Sequence, residues 1–162
     1  MHSEARHQAP HPTAALPAVS PGRIRLRGAV LAGVCVGILV FGWRLTPQQS
    51  GLGTHRQLGL PSCSFLVHTG YPCPSCGLTT SLAAMMHGRW AAAWRAHPFG
   101  VVMVAAVAGL AGLGLGELAT GRNLLRRLRG GWWWLVGGLA GMLAGWAVKL
   151  TVGIASGEYP IR

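Results

Sequence analysis

Residues 98–119 read PFGVVMVAAVAGLAGLGLGELA, an apolar run broken by a single charge, Glu117. As a helix rising about 1.5 Å per residue it reaches roughly 33 Å, enough to cross a hydrocarbon core of about 30 Å. Residues 132–153, WWWLVGGLAGMLAGWAVKLTVG, form a second such run whose only charge is Lys149. A third, GAVLAGVCVGILVFGW at 28–43, has no charge, but it covers only about 24 Å, so the first span is drawn to residue 45. Composition agrees with these runs. Only 10% of the 162 residues are charged and 25 are Gly, too few polar groups to cover a soluble core of this length. The expected fold is an all-α membrane protein with three transmembrane helices at about 28–45, 98–119 and 132–153. Short amphipathic interfacial helices are expected after a Cys-containing loop, the two together filling residues 46–97.

The net charge of +11 would suit nucleic acid if the basic residues formed one patch. Instead the arginines flank the apolar runs, where they set orientation in a bilayer, so lipid is the expected partner and nucleic acid is not. Arg23, Arg25 and Arg27 precede the first run, and Arg122, Arg126, Arg127 and Arg129 crowd the short connection before the third. Three crossings put both clusters on one side, read as cytoplasmic together with the amino terminus. The loop at 46–97 then faces outward. Acids are scarce: there is no Asp, and the Glu residues are Glu4, Glu117 and Glu158. Paired-carboxylate hydrolysis and carboxylate-bound magnesium therefore lack their groups. No phosphate-binding Gly-Lys-Ser/Thr loop or Gly-x-Ser-x-Gly elbow occurs either.

Residues 1–22, with Pro10, Pro12, Pro17 and Pro21 and the histidines His2, His7 and His11, show no apolar period and read as a disordered tail ahead of a single membrane domain at 23–162. The first span ends at Trp43-Arg44 without a small-residue cleavage site, which favours an uncleaved anchor over a signal peptide. Between 44 and 77, Pro and Gly recur too often for a long helix. From Leu78 to His87 the residues Leu78, Leu82, Met85 and Met86 give one apolar face, with Thr79, Thr80 and Ser81 at the helix start. Arg89 to Ala96 reads as a second short helix, Trp90 and Trp94 on one side, lying at headgroup level or packed on the protein's own core. Gly109, Gly112, Gly114 and Gly116, then Gly137, Gly138, Gly141 and Gly145, permit close helix–helix association. Glu117 and Lys149 each lie about one turn from a span end, where a long side chain snorkels toward water.

Chemistry concentrates at Cys73-Pro74-Ser75-Cys76-Gly77. Three readings stay open. One is a structural turn in which Pro74 and Gly77 redirect the chain, giving a non-catalytic structural or interaction role. Another is an extracytoplasmic thiol–disulfide pair, Cys76 standing close to a helix start that favours thiolate. The last is a zinc-like site built from Cys63, Cys73 and Cys76 with His68, His87 or His97 as fourth ligand; a zinc ribbon would need a second Cys pair, which the chain lacks. No carboxylate completes a Cys-His-Asp set, so catalysis is not expected. Cys35 lies within the first span as a small apolar-like residue.

Cys63, Thr69-Gly70-Tyr71-Pro72-Cys73-Pro74-Ser75-Cys76-Gly77-Leu78-Thr79-Thr80, His87-Gly88, Ala93 and His97-Pro98 together resemble the bacterial membrane-protein family known as domain of unknown function 2752. The resemblance covers roughly Cys63 to Pro98. It implies a multi-pass protein of the bacterial inner membrane and a central place for the Cys-Pro-x-Cys-Gly-Leu-Thr signature, without assigning an activity. Thr80 stands where many members have Arg, and His97 where many have Asn.

Overall fold

A computed structural model describes residues 20–128 and 131–157, so the stretch 1–19, Arg129 and Glu158 lie outside the described residues. Six α-helices follow one another: α1 Pro21–Arg44, α2 Ser64–Thr69, α3 Leu78–Met86, α4 Trp90–Ala96, α5 Pro98–Thr120 and α6 Trp132–Ala155. Among the described residues there is no strand. Helices α1, α5 and α6 are each long and apolar enough to cross a membrane. The second and third predicted spans match α5 and α6 to within about two residues.

The first span differs. Helix α1 starts at Pro21, which occupies the first turn, where a missing N–H costs nothing. Residues 20–22 are therefore helix cap and first turn rather than tail. Arg23, Arg25 and Arg27 lie in the helix rather than ahead of it. The 24 residues of α1 extend about 36 Å, which removes the length shortfall of the bare apolar run.

Helices α1 and α5 pack antiparallel along a stripe of small residues. The buried positions of α1 are Ile24, Gly28, Ala32, Cys35 and Gly42, spaced so that they fall on one face. At the crossing the backbones touch: a Cβ on Gly28 would lie 2.7 Å from the Gly114 carbonyl oxygen, and one on Gly114 would lie 2.8 Å from the Ala32 nitrogen. Lipid offers no hydrophobic drive for two apolar helices to associate, so this close fit is what holds them. A bidentate pair closes the same end of the contact. Arg27 donates from Nη2 to Glu117 Oε1 at 2.6 Å and from Nε to Oε2 at 3.1 Å, and the Leu125 amide adds a third donor to the fully buried carboxylate. Glu117 thus does not snorkel; its partner on α1 lies within reach.

At the opposite end α2, α3 and α4 form a cap. Helix α3 is wedged between α1, α4 and α5, so residues 80–84 are all buried. The expected apolar face of Leu78, Met85 and Met86 is only partly covered, because a helix enclosed on several sides packs best through small residues. Leu82 fills the notch at Gly42, and Ser81 lies under Gly100. Thr79, Thr80 and Ser81 do not cap α3. Gly77 precedes it with no side-chain cap, while Thr80 shares a buried hydroxyl contact of 2.9 Å with Thr54 and Ser81 donates to the His97 carbonyl. In α4, Ala93 and Ala96 face the core and Trp90 and Trp94 stand exposed.

Helix α6 meets α5 through Phe99, whose ring lies against Gly141 and whose Cβ and backbone nitrogen lie against Gly145. Gly137, Gly138, Gly109 and Gly112 face open space.

Candidate functional site

The tight turn between Cys73 and Leu78 is built by its own backbone. The Cys76 amide donates to the Cys73 carbonyl at 3.0 Å and the Leu78 amide to the Ser75 carbonyl at 3.2 Å. Gly77 has φ of +96°, a conformation that penalises any Cβ. A Cβ there would also run into the Ala96 carbonyl oxygen and come within 2.7 Å of Lys149 Nζ. The glycine is required twice over, by conformation and by space.

That turn carries three backbone carbonyls, on alternate residues, each met by a donor from elsewhere in the fold. Trp146 Nε1 donates to the Pro72 carbonyl at 2.7 Å, His97 Nε2 to the Pro74 carbonyl at 3.0 Å, and Lys149 Nζ to the Cys76 carbonyl at 3.1 Å. Lys149 also donates to the Ala96 carbonyl at 2.6 Å, tying the turn to the junction of α4 and α5. Lys149 is therefore a buried strut rather than a snorkelling side chain. A carbonyl accepts only, so the proton of neutral His97 is on Nε2; Nδ1 is buried without a hydrogen-bond partner. Burial, with the charge of Lys149 nearby, holds the His97 pKa below its ordinary value against the bond to Pro74, and the ring is neutral near pH 7.

On this frame the Sγ atoms of Cys63, Cys73 and Cys76 all lie within 4.8 Å of one another. Cys63 immediately precedes α2, and that helix with the bend at Gly70 returns the chain to Cys73. Cys73 and Cys76 are 3.2 Å apart, sulfur to sulfur, and the Ser75 hydroxyl is 3.3 Å from Cys73. Burial pushes the Cys73 thiol up, but hydrogen bonds with Ser75, Cys76 and Cys63 outweigh it and bring the pKa down to about 7. Burial, and its bonds to Cys73 and Cys63, push Cys76 up to about 12. One thiol of the cluster is thus poised to ionise and its neighbour to donate to it.

The histidines expected as fourth ligand stand elsewhere. His68 is exposed at the end of α2, and His87 bonds through Nδ1 to the Ala83 carbonyl at 2.8 Å, closing α3. Neither joins the thiol cluster, and the imidazole of His97 is bonded beneath Pro74. Trp146 and the role of Lys149 escaped the sequence reading. Their signal was there in part: Lys149 is the only charge in its span, and Trp146 lies three residues earlier on the same helix face.

Residues 63–111 match the model of a family described as Protein of unknown function (DUF2752), which bears out the resemblance seen in the sequence. No curated protein and no solved structure shows significant similarity to the chain.

Proposed function

We propose that Cys63, Cys73 and Cys76 bind a thiophilic metal ion of the zinc class, which pins the cap of this three-helix membrane protein in a structural, non-catalytic role. The convergence of three sulfurs within 4.8 Å carries this reading. Thiolates about 2.3 Å from a tetrahedral zinc stand roughly 3.8 Å apart, a spacing these side chains reach by small rotations on an already fixed backbone. Softness favours zinc over magnesium or calcium at a sulfur-only donor set. Lys149 would offset the net negative charge of three thiolates around a dication. Solvent or a partner chain would supply the fourth ligand.

The cap is assigned to the outer face of a bacterial inner membrane, with the amino terminus inside. Supporting this are Arg23, Arg25 and Arg27 at one end of α1, together with Arg122 and Arg126 after α5, at the end of the bundle away from the cysteines.

Elemental analysis of full-length protein, purified without chelator, is expected to find one zinc-class ion per chain. Cobalt substitution should produce thiolate charge-transfer absorption, and Cys63→Ser should abolish it. Metal-free protein with a Cys73–Cys76 disulfide would overturn the metal reading and assign thiol–disulfide chemistry, which the 3.2 Å contact between these two sulfurs already favours as the second reading.

A further inference from the structure

Away from the thiol cluster, on the other side of Lys149, lies a groove of about 390 Å³ between α4, the second half of α6 and the loop at 48–51. Arg89, Arg95 and Lys149 line it, with Gln48, Gln49 and Ser50 as neutral polar neighbours. Among the described residues no acidic one does. The one acidic side chain among the described residues, Glu117, is at the far end of α5 on Arg27. The guanidinium of Arg89 makes no hydrogen bond or ion pair among the described residues, and Arg95 donates only its Nε, to its own helix at Ala91. Arg89 and Arg95 thus share one concavity with no carboxylate among the described residues beside their guanidinium groups, an arrangement stabilised by an anion.

The rest of the wall is apolar. Trp94, Val148 and Val152 line the groove and are each about half exposed. The two valines belong to a helix long and apolar enough to cross the bilayer, and Trp is a residue that settles at headgroup depth. The groove therefore opens from a cationic pocket onto surface that suits acyl chains.

We propose that this groove binds the phosphate headgroup of an anionic phospholipid, Arg89 and Arg95 engaging the phosphate and the acyl chains leaving along Val148 and Val152. A free phosphate would satisfy the arginines but gain nothing from the valines and Trp94. Basic pockets at the ends of membrane helices are a general means of holding acidic headgroups.

Native mass spectrometry of the full-length protein in detergent tests this with palmitoyl-oleoyl phosphatidylglycerol against palmitoyl-oleoyl phosphatidylcholine. The wild type should retain the anionic lipid with a preference of roughly tenfold or more, two arginines each contributing near the surface. Arg89→Gln with Arg95→Gln should lose that preference, while Arg56→Gln, an equal type of change at an exposed position of the 3-10 helix Thr54–Leu58 outside the groove, should keep it. All these side chains are exposed, so the fold tolerates their replacement, and Lys149 is left in place because it holds the turn. Inorganic phosphate at millimolar concentration should not displace the lipid. Equal retention of both lipids, an unchanged preference in the double variant, or phosphate binding that displaces the lipid would each overturn the proposal.

Discussion

Lys149 is buried with its ammonium on the Cys76 and Ala96 carbonyls, and its replacement by Met would keep the stem's volume while removing the donors. A buried carbonyl left without its partner costs about 1–3 kcal/mol. Lys149→Met is therefore expected to lower the melting temperature of the purified protein. It should also raise the rate at which Cys76, buried in the wild type, is alkylated after metal removal, as read by peptide mass spectrometry; an unchanged rate would refute the strut. The cysteine turn itself was legible, because two prolines, two cysteines and a glycine within a few residues leave the backbone few choices. The partners of that turn were not. Trp146 reaches Pro72 and Lys149 reaches Cys76 across more than seventy residues of chain, and a lysine one turn from a helix end looks the same in sequence whether it meets water or carbonyls. Lone histidines gave no direction either: His68 and His87 stand apart from the sulfurs, and His97 supports the turn from beneath.

Among helices, the contact of α1 with α5 depends on particular glycines. Gly114→Leu would drive a side chain into the Ala32 nitrogen and the Gly28 carbonyl oxygen, backbone atoms that cannot turn aside. The helices must then separate, at an overpacking cost of about 1–3 kcal/mol, and the bidentate grip of Arg27 on Glu117 loosens with them. Gly112→Leu, on the same helix with open space around it, is expected to be close to neutral. Thermal unfolding of the two variants in one detergent separates these outcomes, and equal stability would count against the close crossing. The positions of α5 and α6 were readable because a bilayer demands both length and near-continuous apolarity. Which glycine in a run of four touches α1 was not, since each is equally free of side chain and only the crossing angle selects Gly114. Helix α3 shows the same limit: its enclosure on several sides, rather than along one stripe, is a property of its neighbours.

For the whole molecule, the basic residues cluster at one end and are spread thinly at the other, where Arg44, Arg56, Arg89 and Arg95 are distributed over more than fifty residues. The arginines of the α1 start and of the connection after α5 lie opposite the cap with its thiols. In intact cells treated with chelator, a membrane-impermeant maleimide is expected to label Cys63 and Cys73 without lysis, and Cys35, buried on α1, to stay unlabelled. Labelling only after lysis would reverse the assigned orientation. The donors that brace the turn also have a temporal meaning. A chain made from its amino terminus presents Pro72, Pro74 and Cys76 early, and His97 follows soon after. Trp146 and Lys149 are supplied by α6, which is synthesised some seventy residues after the turn. Until α6 is in place, two of the three braced carbonyls wait for their partners, so the frame of the thiol cluster is completed only then, and its completion reports that α6 has been inserted.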